Sequence, residues 1–365
     1  MCGHGRSEYN CAMRIGVLTS GGDAPGMNAA LRTVALVGLA RGHRVLGVRR
    51  GYEGLLDADA TELELGSLDG IARLGGTILG SARSTRFPTA EGQALARARV
   101  AELGLEALVV IGGNGSLAGA HALAAGRPCA VVGLPASIDN DIGHTGLAIG
   151  VDTAVNTIVE ACDRISDTAR AHRRAFIVEV MGRHCGFLAM RAGIAAEADA
   201  ILYREGDDAT EDALVERCFA ALKQCFRPGR TKMRALILKS EGVRVPTSAL
   251  TMRLQERLDV ELPGIDVRET VLGHVVRGGS PSALDRVMAQ RLAFAAVRGC
   301  EKGLHDVMLG WDVPDDHGEP TGDPHVRIVP IADVLAESAQ LLDGASPVVQ
   351  RRLALLAQVQ DIIAL

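Results

Sequence analysis

The feature that most constrains this 365-residue chain is a unit that recurs along it: an apolar run, a turn built on small residues, then a helical stretch. Ile15-Gly16-Val17-Leu18 stops at Thr19-Ser20-Gly21-Gly22, and Met27 to Leu39 follows with the Ala/Leu/Val content of a helix. The same order returns at Ala107–Ile111 before Gly112-Gly113-Asn114-Gly115-Ser116, and at Ala130–Leu134 before Pro135-Ala136-Ser137. Ala175–Val180 and Ala235–Leu238 are further apolar runs that end in loops carrying Gly, Ser, Glu or Arg. Strands that are apolar throughout, rather than in alternation, are buried on both faces, which requires helices above and below a parallel sheet. The expected fold class is therefore α/β. In such sheets ligands sit beyond the carboxyl ends of the strands, where the glycine-rich polar motifs of this chain fall.

The length implies two domains or one large one, and 47% apolar residues are ample for a buried core. Thirty-nine basic against 44 acidic residues leave a net charge of −5, so no general cationic field exists to hold nucleic acid or an anionic membrane. Any basic site has to be local. No apolar run approaches the ~20 residues of a membrane span, and the N-terminal MCGHGRSEYNCA has no apolar signal core. The expectation is a cytoplasmic protein whose residues 1–12 are a disordered leader. Eight cysteines lie scattered without a CxxC pair, so reduced thiols are expected, and a metal site from Cys2, His4 and Cys11 is set aside because the segment is short and terminal. A break near 142–151 precedes a helical pattern from Asp152 to about His172, as at the entry to a second domain. Trp311 to Pro324 is acidic and rich in Pro and Gly, as in a surface loop, while Val349, Leu353, Leu356, Val359 and Ile363 mark one face of a closing helix.

Three glycine-bearing turns after strands offer backbone N–H groups at helix N-termini, which is what phosphate oxygens require. Gly113-x-Gly115-x-x-Ala118 also fits a dinucleotide fingerprint, but where an acid is needed about 20 residues later the chain reads Val131-Val132-Gly133-Leu134. A tight strand-to-helix turn with no ligand accounts for the motif equally well. Ser137-Ile138-Asp139-Asn140-Asp141 puts a hydroxyl and two carboxylates into one loop at a strand end. Such a pair suits a general base beside a divalent cation, and an Asx turn capping the next segment is the plainer alternative. Arg173-Arg174, Arg183, His184, Arg268, His274 and Arg277 stand at the boundaries of apolar runs. Singly each reads as a solvated surface charge; converging from separate segments of an acidic chain, they fit a dianion such as a sugar phosphate.

At Gly21-Gly22-Asp23-Ala24-Pro25-Gly26-Met27-Asn28 the chain resembles the bacterial ATP-dependent 6-phosphofructokinase family. The resemblance continues in order through Gly75–Arg83, Ile111–Ser116, Ser137–Asp141, Val178-Glu179-Val180-Met181-Gly182-Arg183 and Val271–Pro281, covering residues 13 to about 300. It implies two similar α/β/α domains with mainly parallel sheets and the active site in the cleft between them. Residues 13–150 plus about 276–330 would form the ATP-binding domain, and 151–275 plus about 331–365 the sugar-phosphate-binding domain. The implied reaction moves the γ-phosphoryl of MgATP to the 1-hydroxyl of fructose 6-phosphate, giving fructose 1,6-bisphosphate and ADP. By motif match Asp139 resembles the general base and Arg183 the cation that stabilises the moving phosphoryl group, with Ser137 where the family usually has Thr. Gly22, Arg83, Ser84, Gly113, Asn114, Gly115 and Ser116 match the ATP-phosphate cradle, and Asn114 and Asp141 the surroundings of Mg²⁺. Met181, Gly182, Glu241, His274 and Arg277 match one subunit's share of the sugar-phosphate site. Arg174 and Arg268 resemble the pair that reaches in from a neighbouring subunit, which implies a homo-oligomer of the tetrameric type.

Two departures bear on function. Asn114 stands where the family usually has the magnesium-binding Asp, which removes a full charge from a cation that prefers carboxylates and phosphates. The alternatives are an active enzyme that binds Mg²⁺ more weakly and a non-catalytic regulatory paralogue. Because the base, the phosphoryl-stabilising Arg and the sugar-phosphate ligands are kept, activity is expected. Pyrophosphate-using relatives tend to carry an acid where this chain has Gly115 and Lys where it has Ala136, so ATP is the expected donor. In the family's basic effector pocket Arg32, Arg230 and Lys232 are kept, whereas Leu36, Ser166 and Met233 replace other cations, and weakened allosteric control is expected.

Overall fold

The computed structural model describes residues 12–206, 210–227, 229, 233–313 and 317–363. The leader expected at 1–12, apart from Ala12, lies outside them, as do Cys2, His4, Cys11, Arg230 and Lys232. In chain order the elements begin β1 (Arg14–Ser20), α1 (Met27–Ala40), β2 (Arg44–Val48), α2 (Gly51–Leu56), β3 (Ala60–Glu62), α3 (Ala90–Glu102), β4 (Ala107–Gly112), α4 (Asn114–Ala124) and β5 (Ala130–Pro135). They continue with α5 (Val151–His172), β6 (Ala175–Val180), α6 (Phe187–Ala195), β7 (Ala200–Leu202), α7 (Glu211–Cys225), β8 (Ala235–Ser240), α8 (Thr247–Glu261) and β9 (Val267–Val271). The chain closes with α9 (Ala283–Glu301), β10 (Val307–Trp311), β11 (Glu319–Pro320), β12 (Val326–Pro330), α10 (Ile331–Leu342) and α11 (Pro347–Ile363).

Two compact units result. The first runs to Ser137 and takes in Ile142–Ile149 and Ser280–Ala336; the second holds Ile138–Asp141, Gly150–Gly279 and Glu337–Leu365. The first is built on an eight-stranded sheet, order β11-β12-β10-β5-β4-β1-β2-β3. Its five central strands are parallel, as their continuous apolar sequences require, and the antiparallel strands β3, β11 and β12 lie toward the edges. Ile15, Val17, Leu18, Leu108, Val110, Val131 and Leu134 are fully buried, and each such side chain contributes about 1.5–3 kcal/mol of transfer free energy. The second unit has a four-stranded parallel sheet, order β7-β8-β6-β9. Ile177, Ile237, Leu214, Phe219, Leu250, Leu254 and Leu258 form part of its core.

Two local readings change. The apolar run that ends at Leu238 is only part of β8, which continues through the buried Lys239 and Ser240. Lys239 can occupy that interior position because register places it opposite Glu179 on β6, with Nζ 3.0 Å from the carboxylate. The stretch from Trp311 to Pro324 is not wholly a surface loop either: Trp311 ends β10, is 5% exposed, and stacks on His325 with the Arg291 guanidinium 5.0 Å from its ring centre. The described cysteines are free and buried. No helix among the described residues is long and apolar enough to cross a membrane.

Candidate functional site

In the first unit the polar motifs gather after β1 and β4. β4 ends at Gly112 and α4 starts at Asn114, with the Gly113 carbonyl accepting from Ser116 N (2.9 Å) and Leu117 N (3.0 Å). The first N–H groups of α4 are therefore presented at the strand's carboxyl end, where the helix dipole favours an anion. Asn114 is half-buried in this first turn, and no acid stands beside it there. Ser116 is buried, and its Oγ has no hydrogen-bond partner among the described residues. Beside Gly115 nothing lies within 4 Å of where a Cβ would project, so that side of the turn is open.

The Gly21–Asn28 motif holds the Gly75–Arg83 motif through side chains whose part the sequence does not announce. Asn28 donates from Nδ2 to the Leu74 and Gly75 carbonyls at 3.1 Å and accepts from Ile78 N at 2.8 Å. Ser81 Oγ donates to the Gly21 carbonyl, and Thr19 Oγ1 donates to the Gly80 carbonyl at 3.0 Å. Ser84 Oγ accepts from Phe87 N at 2.9 Å, while Gly22 and Arg83 are exposed. Beneath the cradle Tyr52, buried and stacked on Phe87 at 4.1 Å, donates its hydroxyl to the Ser116 carbonyl at 2.6 Å. Burial pushes this phenol far up, which keeps it a donor at any working pH. Sequence reasoning missed Tyr52, because nothing in its own neighbourhood marks it. Ser137 follows β5, half-buried, with its N–H on the Ile149 carbonyl at 3.2 Å.

In the second unit the ends of β6, β8 and β9 are stitched together: Glu241 N donates to the Val180 carbonyl (2.8 Å) and Leu272 N to the Glu179 carbonyl (3.0 Å). Met181, Gly182 and Arg183 after β6, Glu241 after β8, and His274 and Arg277 in the turn of helix Gly273–Arg277 after β9 therefore share one end of the sheet. Gly182 has φ of +127°, and a Cβ there would fall 2.5 Å from the Cys185 carbonyl, so the turn that presents Arg183 needs glycine. Ser240 Oγ, also missed from sequence, donates to the Gly182 carbonyl at 2.6 Å and accepts from Gly242 N at 3.4 Å, joining the two loops.

Asp139 is half-buried in the 138–141 loop. Burial pushes its carboxyl up to about 6, with the nearby charges of Asp141 and Glu241 adding to the rise and Arg277 opposing it. Asp139, Asp141, Glu241 and Arg277 thus form one interacting group. Arg174 and Arg268 do not join it. Arg174 precedes β6 and Arg268 lies early in β9, both bonded to Asp266 (3.4 and 3.2 Å); at about 3.3 Å per residue Arg174 stands roughly 23 Å from Met181, and Arg268, opposite Phe176, roughly 17 Å.

Among the described residues no group of three or more His, Cys, Asp or Glu is arranged to hold a metal by itself. Of the effector positions, Arg32 donates to the Leu68 carbonyl at 3.0 Å, Ser166 is buried and Met233 is exposed.

Residues 14–300 match the family model described as Phosphofructokinase. The ATP-dependent 6-phosphofructokinase of Thermotoga petrophila is 46% identical over 298 residues, 81% of this chain and 89% of that protein. The ATP-dependent 6-phosphofructokinase 1 of Thermus thermophilus is 45% identical over the same shares of each chain. Among solved structures, Pichia pastoris phosphofructokinase superposes with a TM-score of 0.81 at 30% identity, over 97% of this chain and 40% of its own, so this chain spans about two fifths of that one. The pyrophosphate-dependent phosphofructokinase of Marinobacter aquaeolei, with a TM-score of 0.74 at 20% identity over 88% of this chain and 83% of its own, shares the fold.

Proposed function

The chain belongs to the phosphofructokinase family, and on that premise we propose that it transfers the γ-phosphoryl of MgATP to the 1-hydroxyl of fructose 6-phosphate, releasing fructose 1,6-bisphosphate and ADP. The observation that carries this reading is the agreement with ATP-dependent relatives at 44–46% identity over most of the chain. Asp139 accepts the proton of the 1-hydroxyl. A base raised to about 6 is still ionised at neutral pH, yet is a better proton acceptor than an ordinary carboxylate. Arg183 stabilises charge on the phosphoryl group in flight, a contribution for which one such donor is worth about 10²–10³ in rate. Glu241, His274 and Arg277 with Met181 and Gly182 bind the sugar phosphate in the second unit. Gly22, Arg83, Ser84 and Gly113–Ser116 bind the nucleotide phosphates in the first, where Ser116 Oγ has a hydrogen bond left to make.

The donors suit Mg²⁺. They are all oxygens, Asp139 and Asp141 repel one another in one loop, and among the described residues no cluster of three or more His, Cys, Asp or Glu competes with nucleotide phosphates for the ion. Asp141 and the Asn114 amide oxygen would hold it, and when bound it neutralises phosphate charge. The open space beside Gly115 fits ATP as donor, since an acid there would crowd and repel the α-phosphate. Arg174 and Arg268 complete the 6-phosphate clamp of a neighbouring subunit, so the working form is a homo-oligomer, expected to be a tetramer. With only part of the basic effector pocket kept, phosphoenolpyruvate and ADP act weakly.

Purified protein assayed with fructose 6-phosphate and Mg²⁺ tests the reading. Turnover with ATP and not pyrophosphate is expected. Turnover with pyrophosphate alone would overturn the choice of donor, and none with either would leave a regulatory paralogue.

A further inference from the structure

The loop that carries Asp139 and Asp141 is held from the far end of the sequence. Arg352, on α11, places both Nη1 and Nη2 3.3 Å from the Asn140 carbonyl oxygen, 212 residues away in the chain. Its guanidinium lies over the Phe187 ring of α6, 4.5 Å from the centroid, and 4.0 Å from Cys185 Sγ. Asn140 is buried and has φ of +51°, a left-handed conformation that asparagine tolerates better than most non-glycine residues. Both donors of one planar fork meet the carbonyl between the two aspartates, and the Phe187 ring beside the guanidinium limits how far that fork can shift. That carbonyl belongs to the peptide joining Asn140 to Asp141, so holding it fixes ψ of Asn140 and φ of Asp141, the backbone that immediately follows Asp139.

We infer that Arg352 is a positioning residue, a clamp by which the C-terminal helix sets the direction of the proton-accepting carboxylate. It acts on the carbonyl of the loop and touches neither substrate. α11 lies beyond residues 14–300, the extent of the family-model match, so this brace is not part of the motif set that defines the family. The inference rests on the proposed kinase reading. Wild-type turnover, measured alongside, tests that reading, and only the variants test the clamp.

Arg352→Ala and Arg352→Lys are assayed with ATP and fructose 6-phosphate, with thermal unfolding recorded for each. For Arg352→Ala the expected result is a fall in kcat of about 10- to 100-fold, the usual cost of a small misplacement of a catalytic group, with KM for ATP changed less than about 2-fold. Guanidinium chloride at tens of millimolar should restore several-fold of the lost rate, and should restore none to Asp139→Asn. Wild-type kcat in Arg352→Ala, or a loss that tracks unfolding and is not rescued, would overturn the clamp. Should the alanine variant not fold, Arg352→Lys decides: it keeps the charge and the aliphatic stem but not the two-pronged donor. A kcat reduced about 10-fold in a folded protein supports the inference, and an unchanged kcat refutes it.

Discussion

Asp139 has to be read together with the charges around it. Its carboxyl is raised to about 6 by burial first and by Asp141 and Glu241 next, so the folded protein holds that proton more tightly than an unfolded chain does. The sign follows. Protonated Asp139 favours the folded state below the ordinary carboxylate range, and this contribution is lost as pH rises through about 6. On the proposed role of Asp139, activity runs the other way, because a general base works ionised. The profile of kcat/KM for fructose 6-phosphate is therefore expected to show an acid limb near pH 6. Asp141→Asn, which removes one of the charges raising Asp139, should move that limb to lower pH, and a limb that stays in place would show that Asp141 does not act on the base. Asp139→Asn should lower kcat by about 10²–10⁴ and, because it removes a buried charge, should raise rather than lower thermal stability at neutral pH. Asn114 makes a different case at the same scale. Asp in its place would add a carboxylate both to the site assigned to Mg²⁺ and to the first turn of α4, which has none. Asn114→Asp should thus lower the Mg²⁺ concentration at half-maximal rate and raise stability by about 0.3–1 kcal/mol through the helix dipole. An unchanged Mg²⁺ curve would remove this position from the metal's surroundings.

At the scale of elements, the strand-turn-helix order was legible because each step has its own local signal. Continuous apolar runs mark buried parallel strands, and glycines mark turns such as Gly182, where no other residue fits. α1 and α5 fall within a residue of the expected stretches for the same reason. Cross-strand partners carry no such signal. Lys239 looks like the residue that ends a strand until register brings it against Glu179, which also accepts from Thr247 Oγ1. Ser240 and Tyr52 escaped notice likewise, since the carbonyls they serve lie 58 and 64 residues away. The buried pair has a consequence that can be measured. Lys239→Met leaves the Glu179 carboxylate without its cation and should cost about 3 kcal/mol, the low end for a broken buried pair because Glu179 keeps some contact with water. Adding Glu179→Gln to Lys239→Met should recover most of that loss, since two uncharged groups then face each other. Urea unfolding midpoints of the two single variants and the double variant decide it; purely additive losses would show that the pair is not coupled.

For the molecule as a whole, the separation of two groups of charges within the second unit bears on the proposal that a neighbouring copy completes the site. Asp141, Glu241 and Arg277 act on Asp139, while Arg174 and Arg268 stand at the opposite end of β6. Each of these residues could be named from the sequence by its match to the family, but not the distance between them, because distance along a sheet appears only once β6 and β9 are paired in register. If the two arginines serve a neighbouring copy, defects in the base and in the clamp lie in different subunits of any one site and can compensate. Arg268→Ala and Asp139→Asn should each be nearly inactive toward fructose 6-phosphate when expressed alone. Co-expressed and randomly paired, half of the dimeric units are hybrids, and in each hybrid one of the two shared sites combines an intact Asp139 with an intact Arg268 of the other chain. The mixture should then regain about a quarter of wild-type activity. A site built within one chain predicts no recovery at all, because every subunit would carry its own defect.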